Sequence, residues 1–190
     1  MMRHRSPHSA PMIQPPPSES HPGADTGAIR AGADMSRLRD APLLRAHTWW
    51  QSLPRQRGAA QGLTLPDRTE IDPLAIPDLL PHVVLWAVLH QPDGGLRYRC
   101  RLAGTGMVEV HGHEFTGQWM EEFHGAENAR IQPEYDFVSR SGQPHYVERS
   151  LFWMNRDYRR YRRLLLPFGD ASATHGGVAK ILNVAHFLTA

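Results

Sequence analysis

The chain has 190 residues, 41% of them hydrophobic, which is enough for one domain of ordinary size with a modest core. Its formal net charge is +2, with Lys180 as the one lysine and arginine supplying the other basic side chains, and no apolar run approaches the roughly 18 residues that span a bilayer. A single cysteine, Cys100, excludes an internal disulfide and a cysteine-built metal cage, and fits a cytoplasmic protein.

Residues 1–35 are rich in Pro, Ser and Gly and nearly lack large apolar side chains. Such a stretch buries too little surface to offset its ordering entropy and is expected to be disordered. Its early arginines precede no apolar segment of the kind a secretory signal needs. Met35 is an alternative start that would omit it.

A helical piece follows in residues 36–58. Leu43, Ala46, Trp50 and Leu53 recur at spacings of three and four and define one helix face over 38–53. Asp40 is placed to cap it, with Pro42 in the first turn. Trp49 points elsewhere. The main domain then covers 59–190. "LPDRTEIDPLAIPDLLPH" carries four prolines and is expected to form short turns only. "VVLWAVLH" suits a strand, "QPDGG" a hairpin turn, and "LRYRCRLAG" alternates as a strand with one wet side. Leu96, Tyr98, Cys100 and Leu102 share its apolar face; Arg97, Arg99 and Arg101 share the other.

Residues 105–140 read as short helical pieces punctuated by glycine, with Pro133 opening the last of them. Three further strands are expected near 145–154, 160–168 and 178–188. Two groups of strands with helices bunched between them indicate an α+β fold.

Four phrases, "LPDRTEIDPLAIPDLLPHV", "RYRCRLAGT", "GHEFTGQWMEEF" and "YRRLLLPFGD", stand in this order over about residues 38–188. Together they resemble a PAS domain, closest to a small stand-alone bacterial branch of that superfamily. The resemblance implies a five-stranded antiparallel sheet with short helices over one face, a ligand-sized pocket between them, and an N-terminal helix that lies across the sheet or pairs with its copy. It implies a sensory or protein-interaction module in bacterial signal transduction, with an unidentified signalling protein as partner and a homodimer through helix 38–53 as one arrangement. The pocket or core is expected to draw on Met107, Val110, Phe115, Trp119, Phe123, Tyr135 and Val138 from the helical side, and on Tyr98, Cys100 and Leu102 from the sheet. No cofactor can be named from these residues.

The stretch "HGHEFTG" asks whether metal is bound. In an extended chain His111 and His113 point the same way, with Glu114 or His124 as a third ligand. Two histidines one residue apart fix no site without further ligands, and the glycines mark bends, so these polar residues read as turn residues and no metal site is assigned. Some PAS domains bind haem iron through a histidine on the helical side; here only position nominates His111, His113, His124 or His145. Cys100 lies in a strand, on its apolar face, unlike the reactive helical cysteine of flavin photochemistry. "GTGMVE" is similar to a dinucleotide fingerprint but has Glu109 where the third glycine belongs.

The densest charge feature is "NRDYRRYRRLLLPF", in which Arg156, Arg159, Arg160, Arg162 and Arg163 surround Tyr158 and Tyr161. Arginines interleaved with aromatics suit an anionic partner, a phosphate-bearing messenger or single-stranded nucleic acid. A solvated hairpin whose arginine stems shield a sheet edge is the plainer reading. No hydrolase elbow or P-loop is present, and adjacent Glu121 and Glu122 diverge on a helix, so the chain is read as a non-enzyme. Two other classes stay open: a ligand-free structural adaptor or dimerisation protein, and a nucleotide- or RNA-binding regulator working through the arginine hairpin.

Overall fold

A computed structural model describes residues 35–57, 62–150, 158–173 and 177–189. Residues 1–34 of the segment expected to be disordered, residues 151–154 of the third expected strand, and Arg156 lie outside them; Met35 starts a 3-10 turn.

Helix α1 (Ala41–Ser52) starts where its sequence directs. Asp40 accepts the Leu43 N–H at 3.3 Å, and a proline occupies the first turn. Two short strands that the sequence did not announce follow, β1 (Arg55–Arg57) and β2 (Thr64–Pro66), paired antiparallel. The proline-rich stretch forms three 3-10 turns, Arg68–Glu70, Pro73–Ala75 and Pro77–His82.

The main sheet contains β3 (Val83–His90), β4 (Leu96–Ala103), β5 (His145–Ser150), β6 (Tyr158–Gly169) and β7 (Val178–Thr189). Its spatial order is β4-β3-β7-β6-β5, and every pairing is antiparallel. The β3–β4 turn closes as its sequence predicts: Gly94 takes φ 82°, and Gly95 donates its N–H to Asp93 Oδ1 at 2.8 Å. Between β4 and β5 run α2 (Thr105–His111), α3 (Met120–His124) and α4 (Asn128–Ser141). Pro133 lies inside α4 rather than opening it, the helix having begun at Asn128.

The sheet has a core on each face. On one, α2, α3, α4 and the α2–α3 loop pack Met107, Phe115, Met120, Ile131, Tyr135 and Val138 onto Val84, Trp86, Tyr98, Cys100, Leu165 and Ile181. On the other, α1 sets Leu43, Ala46 and Trp50 against Leu164, Leu166, Phe168, Leu182 and Val184. The alternation of β6 makes this possible, because Leu165 serves one face while Leu164 and Leu166 serve the other. Trp50 also donates its indole N–H to the Pro167 carbonyl at 2.8 Å, which ties α1 across the sheet.

Gly104, just after β4, is required by close approach. A Cβ there would stand 2.2 Å from the Leu80 carbonyl oxygen. No helix among the described residues is long and apolar enough to cross a membrane.

Candidate functional site: a cavity between the sheet and its helices

A cavity of about 40 Å³ lies between the sheet and α2–α4. Val84, Trp86, Arg163, Asn183 and Ala185 line it from the sheet, and Met107, Val110, His111, Phe115, Phe123 and His124 from the helical side. Its walls are largely apolar. Phe115 and Phe123 stack with ring centroids 4.0 Å apart, and His111 meets Phe123 edge-on at 4.8 Å.

Of the ten residues expected at this place, Met107, Val110, Phe115 and Phe123 line the cavity. Tyr98, Cys100, Tyr135 and Val138 belong to the buried core around it. Tyr98 donates its hydroxyl to Asp136 Oδ1 at 2.6 Å, and burial pushes its pKa up. Burial likewise pushes the Cys100 thiol up to about 11, so this cysteine behaves as a small apolar group.

Two residues need correction. Leu102 is 46% exposed and faces away from the cavity. The register of β4 against β3 slips here: Cys100 pairs with Trp86 but Leu102 with Leu85, which places Arg101 in a bulge. One extra residue reverses the side-chain alternation, so Leu102 turns to the outer face with Leu85 and Ala103 turns inward. Trp119 is also outside the cavity. It pairs across β4 with Arg99, half-buried, under the Arg97 guanidinium at 3.8 Å from its ring centroid.

The stretch 111–117 divides into two roles. Gly112, at φ 79°, ends α2, and Glu114 accepts the N–H groups of Phe115 and Thr116 at 2.9 and 2.8 Å. This part is turn chemistry, as its glycines suggested, and His113 is exposed. His111 differs, because it faces the cavity and burial lowers its pKa to about 4. His124 is held down to about 3, chiefly by burial and then by the charge of Arg163. Both rings are neutral near pH 7. Among the described residues, no three His, Cys, Asp or Glu side chains gather as a metal site. The cavity is far smaller than a porphyrin, so His111 and His124 do not fit the role of haem ligand in this arrangement.

The arginine hairpin separates by strand parity. Arg163 lies on the inner face with Tyr161 and Leu165, is 3% exposed, and pairs with Glu134 of α4. Glu134 is itself 2% exposed, and it also receives Arg149 and stands 3.6 Å from His145 Nε2. Burial alone would raise the Glu134 pKa; Arg163, nearby His145 and Arg149 outweigh it and hold the carboxyl well below its usual range. Arg162 points to the opposite face, where it meets Asp40 Oδ2 and Glu148 Oε2, each at 3.1 Å. His186 Nδ1 reaches the same Asp40 oxygen at 2.6 Å. Arg160 pairs with Glu148. The expected open basic patch is thus corrected for Arg160, Arg162 and Arg163: all three are engaged by carboxylates, one of them in the core. Arg159 lies in β6, and its side chain is not described.

Trp86, Asn183 and Arg163 also line the cavity, though little in the sequence marks them for it. Strand parity with Leu165 was the available sign for Arg163. Asn183, flanked by Val84 and Leu165 in register, sits where an apolar residue is the default.

A search of curated proteins finds no match to this chain. The family model for the PAS domain matches residues 38–181, from the cap of α1 into β7, and the fold just described is consistent with it. The chain therefore belongs to the PAS domain family.

Proposed function

We propose that this protein is a cytoplasmic sensory module that holds a small molecule between its sheet and α2–α4 and reports occupancy to a signalling partner. It acts by binding rather than by catalysis. The observation that carries this reading is the cavity itself, which combines largely apolar walls with buried polar atoms that have no partner among the described residues. Most buried polar groups are paired, and unpaired ones in a cavity favour an occupant. Family membership favours a sensory or interaction role in general.

A route outward is built into β6. Arg163 faces the cavity while its neighbour Arg162 bonds Asp40, the cap of α1 on the opposite face. A change at one residue bears directly on the next, so cavity occupancy and the seating of α1 are mechanically adjacent. Native mass spectrometry and absorbance of the full chain purified from cells test the proposal. A stoichiometric added mass that disappears in Ala185→Trp, which fills the cavity, is the expected result. A clean apo mass for both proteins contradicts it.

The second reading is a docking adaptor that dimerises through α1. Its apolar face is spent on the protein's own sheet, leaving 39%-exposed Leu44 and half-buried Trp49 for a partner. The oligomer mass in the same spectrum decides it: a dimer that Leu44→Glu dissociates supports pairing through α1, and a monomer removes it.

A further inference from the structure

Three buried polar atoms belong to residues that line the cavity and have no hydrogen-bond partner among the described residues: Trp86 Nε1, Arg163 Nε and Asn183 Oδ1. Their residues are 1%, 3% and 6% exposed. The Tyr135 hydroxyl comes near the Trp86 indole but does not complete its N–H geometrically. Two of the three atoms are donors, and the Asn183 amide, turned over, offers its NH₂ as a third.

Charge narrows the choice of occupant. Among the described residues, Glu134 sets one negative charge against the buried guanidinium of Arg163 and the partly exposed one of Arg149, a sum of one positive charge. Glu134 takes Nη2 of Arg163 and leaves the Nε edge unused. His111 and His124 are neutral and add no further positive charge. Water can satisfy the donors but cannot balance the charge. Much of the remaining wall is apolar, formed by residues such as Val84, Met107, Val110 and Phe115. The 40 Å³ space holds only a few water-sized groups at roughly 10–15 Å³ each.

Resting on the sensory reading above, we propose that the occupant is a short-chain carboxylate of roughly two to four carbons. Its carboxylate accepts the N–H groups of Arg163 and Trp86 in a charge-assisted pairing. Its alkyl part lies against Val84, Met107, Val110 and Phe115.

The test is calorimetric titration of the full chain with acetate, propionate and butyrate, beside the matching primary amides. At least one carboxylate should bind saturably, one per chain, and no amide should. Asn183→Asp, nearly isosteric, supplies the protein's own carboxylate beside Arg163 and should weaken binding tenfold or more. Trp86→Phe should weaken it as well, with melting curves showing that both variants fold. Arg163→Gln is the poorer probe, because it unpairs buried Glu134. Absence of saturable binding by every carboxylate, equal binding of an amide, or binding unchanged in Asn183→Asp overturns the inference. If native mass spectrometry then finds a neutral compound in the cavity, the sensory reading survives alone. If it finds the cavity empty, both readings fall.

Discussion

Glu134 of α4 and Arg163 of β6 form an ion pair in which each residue is at least 97% buried, so the helical layer is bonded to the sheet at the margin of the cavity. Taking two charges out of water is expensive, and the geometry has to repay it through several hydrogen bonds. Here Glu134 accepts from Arg163 and Arg149, with His145 Nε2 3.6 Å away. Breaking the pair from one side leaves an uncompensated buried charge. Glu134→Gln should therefore destabilise the protein by about 3–5 kcal/mol, read from the urea midpoint. A loss below about 1 kcal/mol would mean that the pair is solvated.

Asp40 performs two tasks at once on the opposite face. It caps α1 through the Leu43 N–H, and it receives Arg162 and His186. Burial pushes its pKa up, but the hydrogen bonds from His186, Arg162 and Leu43 win and hold it below the usual value. Asp40→Ala should cost about 1–2 kcal/mol, whereas Asp40→Asn keeps the cap and recovers part of that loss. Trp50 fluorescence, sensitive to the seating of α1, should change in the alanine variant. Equal stability of both variants would show that the cap contributes nothing.

Gly104 tolerates no side chain. Its Cβ would approach the Leu80 and Pro81 carbonyl oxygens at 2.2 and 2.5 Å, and these are backbone atoms that cannot rotate away. Gly104→Ala should lower stability by about 1–3 kcal/mol or more, measured by thermal melting. Gly117→Ala makes a useful contrast, because nothing lies within 4 Å of a Cβ there and only its φ of 89° opposes substitution.

His111 and His124 set the pH dependence. Their folded pKa values, about 4 and about 3, lie below the ordinary 6.5. Below pH 6.5 the unfolded chain takes up protons that the folded one refuses, so stability falls as pH drops from 6.5 toward 4. Each histidine contributes about 1.4 kcal/mol per pH unit once the unfolded form is protonated. His47 and His82, also lowered, act with the same sign. Glu134 adds its own loss only below about 4.5, because its folded pKa is depressed from there. His111→Gln with His124→Gln should flatten the slope between pH 6 and 5; an unchanged slope would show that these rings are solvated.

The sequence announced the fold where local chemistry decides it. Asp40, Pro42 and the "QPDGG" turn each specify one geometry, and the alternation in "LRYRC" specifies a face. The bulge at Arg101 escaped because a single inserted residue leaves composition unchanged while reversing Leu102. Pro133 reads as a helix start, since proline favours the first turn, yet contacts through Ile131, Tyr135 and Val138 carry α4 past it. Arg163 looked like part of a surface patch. Only the partner Glu134, brought from 29 residues away in sequence, makes its burial possible.

The most direct test follows indole and guanidinium N–H resonances in ¹H–¹⁵N spectra while acetate or butyrate is titrated into the full chain. The account predicts saturable shifts of the Trp86 Nε1–H and Arg163 Nε–H signals. The Trp50 indole, bonded to Pro167 on the far face, should hold still or follow weakly. Motionless Trp86 and Arg163 signals, or shifts shared equally by every tryptophan, would contradict a carboxylate site between the sheet and its helices.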